Sequence, residues 1–396
     1  MSGRAPADAL AALVAERSVL VCCGSGGVGK TTTAAALALD AARQGRRACV
    51  VTIDPARRLA DALGASGVSN APHRIEGPWP GELSAVMLDA KGTFDDLVRR
   101  YAADDVQAER ILSNRLYGNL VSALSGTQEY MATEKLFELD ESGAFDLVVV
   151  DTPPTRNALD FLEAPGRLAG FLDNRVFRLV LTPGRAYLRA MSVATQVLLR
   201  TVARVAGSEI VEDAVAFFQA FEGMEQGFRD RAARVERLLS DGTTGFVVVA
   251  APRRDSIDEA RFFAEKLASS GRTLDAVVVN RLHPDFGPPI ADARPGGRAG
   301  GAPAAAAHAA GPAGAGRSAA AAPWAALVGN LGEMAAVVER ETALVRALEA
   351  AVAPAPLVRV PVLEDDVHDL AGLDEVARHL VGGELRWARG QARHRR

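Results

Sequence analysis

Short runs of consecutive apolar, β-branched residues recur along the chain, separated by longer stretches in which apolar positions return every three or four residues. The runs Ser18–Cys23, ACVVTID, SAVMLDA, FDLVVVDT, GFVVVAAP and LDAVVVNRL, and LVRVPVL further on, are continuous rather than alternating. An unbroken apolar run predicts a strand covered on both faces, as in a parallel sheet. After the first run, TTTAAALALDAARQG predicts a helix stopped by Gly45, the residue type expected just past a helix end. Strand, helix and strand in that order form a parallel βαβ unit.

Two intervals are too long for ordinary crossovers, 92–143 and 156–240. In the second, RAMSVATQVLLRTVARV and DAVAFFQAFEGMEQGFRDRAARVERLL carry apolar residues at i, i+3, i+4, the stripe of a helix with one buried face. These intervals predict a helical subdomain inserted into an α/β core. From 287 to 323 nearly every residue is Ala, Gly or Pro. Such a tract buries too little apolar surface to offset its ordering entropy, so a disordered insert is expected there. The 396 residues are read as a single domain with these insertions, large enough for a substantial core.

Composition narrows the class. The net charge of −4 and a pI near 6.0 count against a surface built for nucleic acid. The three cysteines are an odd number, with no Cys-x-x-Cys pair and no nearby His; neither a disulfide framework nor zinc is expected. No apolar stretch approaches the roughly 20 residues that cross a bilayer. The opening MSGRAPADALAALVAER carries Asp8 and Glu16 and lacks a cleavage pattern. A cytoplasmic location is expected, with membrane contact left open.

The strongest chemical signal is Gly24-Ser25-Gly26-Gly27-Val28-Gly29-Lys30-Thr31, which fits G-x-x-x-x-G-K-[ST] between a strand and a helix. Glycines there let main-chain N–H groups turn inward around phosphate oxygens at a helix N-terminus. The residues expected on ATP are Gly26, Gly27, Val28, Gly29, Lys30, Thr31 and Thr32. Lys30 would neutralise the β- and γ-phosphates, and the Thr31 hydroxyl would ligate Mg²⁺. Asp54, in Thr52-Ile53-Asp54-Pro55-Ala56, follows the second strand, where a carboxylate reaches the γ-phosphate. Asp151 ends the strand LVVVD, the position of a Mg²⁺-linked aspartate.

These segments resemble the arsenite-translocating and tail-anchored-protein-targeting ATPases, within the wider class of dimeric ATPases with a deviant Walker A loop. That family's loop reads G-K-G-G-V-G-K-T. Its switches, of the form TDPAHNLSDAFG and DTAPTGHTLRFL, are similar to TIDPARRLADALG at 52–64 and DTPPTRNALDFL at 151–162. The resemblance implies a P-loop NTPase fold with a mostly parallel sheet, ATP and Mg²⁺ as cofactors, and two chains closed face to face by nucleotide. It also implies that Asp54 orients or deprotonates the attacking water. Asn280, in VVVNR at 277–281, would contact adenine, and Pro361, in VPVL at 360–363, would belong to a loop closing over the base. A protein client would sit at the helical subdomain, where Met131, Met191 and Met224 lie; the same methionines are also expected as ordinary core.

Three departures stand out. Ser25 occupies the place of the family's first loop lysine, which reaches the partner's phosphates like an arginine finger. The readings left open are a slow homodimer, a heterodimer with a paralogous subunit that carries the lysine, compensation by Arg57 or Arg58, or an ordinary variant. The zinc-binding Cys-x-x-Cys pair is missing, and Cys22 and Cys23 would lie beneath the phosphate loop, away from any metalloid. Arg156-Asn157 replaces Gly-His in the second switch. Two rival functions remain: a positioning ATPase of the partition class, which would need a basic surface or an anchor helix, and an ATP-holding regulatory subunit with little turnover.

Overall fold

The computed structural model describes residues 5–53, 58–65, 67–115, 117, 127–153, 161–167, 217, 220, 223–285 and 321–382. Asp54, Arg57, the segment with Arg156-Asn157, Met191, residues 287–320 of the Ala/Gly/Pro tract and the basic stretch RWARGQARHRR lie outside the described residues.

Among the described residues the strands are β1 (Val19–Cys23), β2 (Arg47–Thr52), β3 (His73–Ile75), β4 (Glu82–Met87), β5 (Leu147–Asp151), β6 (Thr244–Ala250), β7 (Ala276–Leu282) and β8 (Leu357–Pro361). They form one sheet in the order β3-β4-β2-β5-β1-β6-β7-β8. Every neighbouring pair is parallel except β3 with β4, which is antiparallel at the edge. β1 sits between β5 and β6, with Cys22 level with Asp151 on one side and Val247 on the other. Chain connections diverge to either side of β1, which makes its carboxyl end the sheet's switch point, where open α/β sheets bind ligands.

The continuous apolar runs are explained by two cores. Leu20, Cys22, Val50, Val149, Val249 and Val278 face one layer, with α1 (Pro6–Glu16), α2 (Lys30–Arg43) and α10 (Leu370–Val381). Val21, Cys23, Val51, Val150, Val248 and Val279 face the other. That second layer holds α6 (Thr127–Glu141), α7 (Glu225–Ser240), α8 (Arg254–Ser269) and α9 (Ala321–Val352). α9 begins inside the last residues of the tract read as disordered. In α2, Ala34, Ala35, Ala38, Ala41 and Ala42 are all buried; alanine has the highest helix propensity and lets the helix lie close against the sheet.

Helices also occupy the described part of 92–143. α4 (Ala90–Tyr101) and α5 (Asp105–Leu112) pack with α6 and α7, while the short α3 (Arg58–Ala62) lies against α2. Leu97, Ile111, Tyr117, Met131, Met224 and Phe228 form a core separate from the two sheet layers. Met131 and Met224 are fully buried there, so these two side chains fill the interior between these helices. Arg231, 1% exposed, pins α7 to α6 through Glu134 at 2.5 Å and Glu141 at 2.6 Å. Burial pushes Glu134 upward and Arg231 opposes it, the balance expected of a paired buried charge.

The adjacent Cys22 and Cys23 point to opposite sheet faces, and Cys49 shares the second. All three are inaccessible. Burial raises the Cys22 thiol, with Asp151 adding to the effect, and pushes Cys23 and Cys49 to about 12. A buried protonated thiol is a poor nucleophile. The native chain is therefore expected to consume no aromatic disulfide reagent at neutral pH, and to consume three equivalents once denatured. Rapid reaction of any cysteine before unfolding would contradict this packing.

Candidate nucleotide site

The glycine-rich loop leaves the end of β1 and runs into α2. Gly24 passes so close to the main chain of β6 that any side chain would collide with the Val249 carbonyl. Gly29 caps α2 at φ 94°, where a side chain would also strike the Asn280 amide. At these two positions glycine is required by space as well as by conformation.

Lys30 is 6% exposed and its Nζ donates to the Ser25 carbonyl at 2.8 Å, folding the side chain back across the loop. The Thr31 hydroxyl donates to Asp151 Oδ2 at 2.6 Å, and the Thr52 hydroxyl reaches the same oxygen at 2.9 Å. Asp151 is buried at the end of β5. Two hydroxyls and a carboxylate are hard oxygen donors of the type Mg²⁺ prefers; that ion takes one or two protein oxygens and completes its shell with phosphate and water. The residues present therefore fit Mg²⁺. Among the described residues no group of three His, Cys, Asp or Glu is placed to hold a metal by itself.

A cavity of about 580 Å³ opens over the loop, lined by Gly27, Gly29, Lys30, Thr31, Thr32 and Asp151, with Asn280, Arg281 and Pro361 across from them. Val362, Leu363, Asp365, Asp366 and His368 complete that far wall. The size falls within the usual range for a small-molecule site. Of the residues singled out from sequence, the structure brings Gly27, Gly29, Lys30, Thr31, Thr32, Asp151, Asn280 and Pro361 around one space. Gly26 is exposed at the loop tip and the Val28 side chain is buried beneath it.

Three contacts to the loop were not legible in the sequence. The Ser25 hydroxyl is 3.0 Å from the hydroxyl of Ser256, which is buried in the first turn of α8 and accepts the Ala251 N–H at 3.0 Å. On the opposite side, Asn280 Nδ2 donates to the Val28 carbonyl at 2.9 Å and Arg281 Nη1 donates to the Gly27 carbonyl at 3.1 Å. The loop is thus tied to both β6–α8 and β7. No local pattern announces partners 231 to 254 residues away.

A parallel sheet that presents such a loop at its switch point, with a strand-end aspartate bonded to the loop's threonine, defines a P-loop nucleotide-binding protein. The family described as Anion-transporting ATPase matches residues 17–288. The chain belongs to that family. It is similar to an uncharacterized protein of Streptomyces coelicolor, 33% identical over 270 residues, covering 68% of this chain and 63% of the relative. ATPase GET3 of Chaetomium globosum is 28% identical over 267 residues, covering 65% of this chain and 71% of its own. ATPase get3 of Aspergillus terreus is 27% identical over 264 residues, with 65% and 71% covered. Among the described residues no helix is long and apolar enough to cross a membrane.

Proposed function

We propose that this chain is a Mg²⁺-dependent ATPase whose nucleotide gates the closure of two chains and so couples ATP binding and hydrolysis to a protein client or partner. The observation that carries the reading is the 2.6 Å bond between Thr31 and Asp151 in a cavity that also receives Lys30. The family match and the relatives named as ATPases support it.

In this reading the loop's main-chain N–H groups hold the polyphosphate and the Lys30 amine exchanges the Ser25 carbonyl for phosphate oxygens. Thr31 and Asp151 hold Mg²⁺, which when bound supplies positive charge against the β- and γ-phosphoryl oxygens. Asp54 orients or deprotonates the attacking water. Phosphoryl transfer asks chiefly for positioning and charge neutralisation, which these groups provide. Asn280 is assigned to adenine; its amide retains a second N–H and a second lone pair beyond the bonds to Val28 and to the Arg281 N–H, enough for the base's donor–acceptor edge. Pro361 belongs to the wall that closes over the base.

Ser25 favours a second reading, an ATP-holding subunit with little turnover of its own. Its hydroxyl is engaged with Ser256, and no cation extends from position 25 toward a partner chain. The two readings share the nucleotide site and differ in rate, either in a homodimer or beside a paralogous subunit that carries the lysine.

Calorimetric titration of the full chain with ATP, in the presence and absence of Mg²⁺, tests the shared part. Saturable heat with a stoichiometry of about one per chain is expected, weakened by at least about 10-fold when Mg²⁺ is omitted, since a lost charge-assisted contact costs about 1.5–3 kcal/mol. No heat under either condition removes both readings. Phosphate release measured on the same preparation separates them.

A further inference from the structure

Arg281 is the one non-glycine residue with positive φ among the described residues, at 65°. L-residues avoid that region because Cβ crowds the following carbonyl. The conformation is imposed by a bulge: Val279 pairs with Arg359 and Leu282 with Pro361, so β7 spends one more residue than β8 across that interval. Bulges re-aim side chains beside functional sites. Here the result is specific: Asn280 Oδ1 accepts the Arg281 N–H at 2.9 Å, and the guanidinium is carried to the Gly27 carbonyl at 3.1 Å.

The charges around the cavity give this placement a purpose. Its described lining contains Asp61, Asp151, Asp365 and Asp366. Against these four carboxylates stand two permanent cations, Lys30 and Arg281. Position 25 adds none, since serine is uncharged, and its hydroxyl is bonded to Ser256. A nucleoside triphosphate brings several further negative charges into that space, so each cation weighs heavily. A neutral carbonyl is a weaker partner for a guanidinium than a phosphate, which accepts its fork of N–H donors in pairs. Arg281 is exposed, and the loop it contacts is the one assigned to the polyphosphate.

We propose that Arg281 is a second phosphate-binding cation, acting within its own chain: when a nucleoside triphosphate enters, the guanidinium passes from the Gly27 carbonyl to the phosphate oxygens and supplies charge that Ser25 does not. This rests on the nucleotide-binding reading above. The backbone strain at position 281 persists because it holds the guanidinium at the lip of the loop.

The test uses the full chain and calorimetry with Mg²⁺ and ATP, ADP or AMP. Arg281→Ala is expected to weaken ATP by about 10- to 100-fold, the range for a lost charge-assisted contact, and AMP by less than about threefold. Arg281→Lys recovers most of the ATP affinity. Arg281→Gln, which keeps a donor for Gly27 without the charge, behaves like alanine, and both flatten the salt dependence of ATP binding. Arg281→Gly controls for folding: relief of the positive φ holds Tm or raises it by about 2 °C while ATP affinity is still lost. Unchanged ATP affinity in Arg281→Ala, or an equal loss for AMP, ADP and ATP that Arg281→Gln repairs, overturns the proposal and reduces Arg281 to a tie on the loop. A wild-type chain that binds no nucleotide overturns the nucleotide reading together with it.

Discussion

Lys30→Ala is expected to weaken ATP binding by at least about 10²-fold, the sum of contacts to two phosphoryl groups at about 1.5–3 kcal/mol each, and to lower phosphate release to background. Lys30 is nearly buried, lines the cavity and donates across its own loop to the Ser25 carbonyl. Removing the amine leaves four described carboxylates facing the polyphosphate with Arg281 as the remaining permanent cation in the lining. The fold should persist, because the glycine loop keeps its ties through Ser256, Asn280 and Arg281. Circular dichroism establishes that the variant is folded; calorimetry then reads the affinity. Retention of ATP affinity within about threefold, less than 1 kcal/mol, would sink the assignment of this loop to a triphosphate.

Ser25→Lys is expected to act in the opposite direction, raising phosphate release by up to about 10³-fold, the lower end of what a cation from a facing chain contributes to phosphoryl transfer. The substitution has a structural consequence of its own. Ser25 is half-buried against the first turn of α8, and a lysine stem leaves that contact for the exposed side of the loop, beside Gly26 and Gly27. Ser256→Ala therefore serves as the control: it removes the same hydroxyl pair without adding charge, and it should leave turnover low. The gain should rise with protein concentration, since the added ammonium works only where a second chain presents a nucleotide. A rate that stays flat from dilute to concentrated protein would count against a site completed by two chains, and would leave the ATP-holding subunit as the better reading.

The parts of the molecule that could be read from sequence are those dictated by a one-dimensional rule. β1, β2 and β4 to β7 are largely covered on both faces, so their composition alone announces them; β8 is apolar apart from the exposed Arg359. The edge strand β3 is three residues, His73-Arg74-Ile75, with one buried position; neither its length nor its alternation rises above a loop. α9 was hidden for a related reason. It emerges from the Ala/Gly/Pro tract, and along 331–338 its apolar residues are all only partly covered, so no single stripe marks it.

The site divides the same way. Gly24, Gly29, Lys30, Thr31 and Asp151 lie at strand ends or in a contiguous motif, where spacing carries the geometry. Ser256 and Arg281 reach the loop only because β6 and β7 lie on the far side of β1, a matter of strand order that no local window contains. The methionines show the reverse limit: at Met131 and Met224, helical spacing fits a client surface and an interior equally, and only burial distinguishes them.

The placement of α10 bears on synthesis. Leu373, Val376, Ala377 and Leu380 share a core with Leu10 and Val14 of α1 and with the alanine face of α2, and Arg43 is ion-paired with Asp374. The helix that carries the phosphate-binding loop is thus shielded on one flank by residues made more than 300 positions later. A ribosome-bound chain exposes that alanine surface for most of its elongation, and contacts of such long sequence separation form late. Until α10 has been made, the flank of α1 and α2 that it covers stays open to solvent.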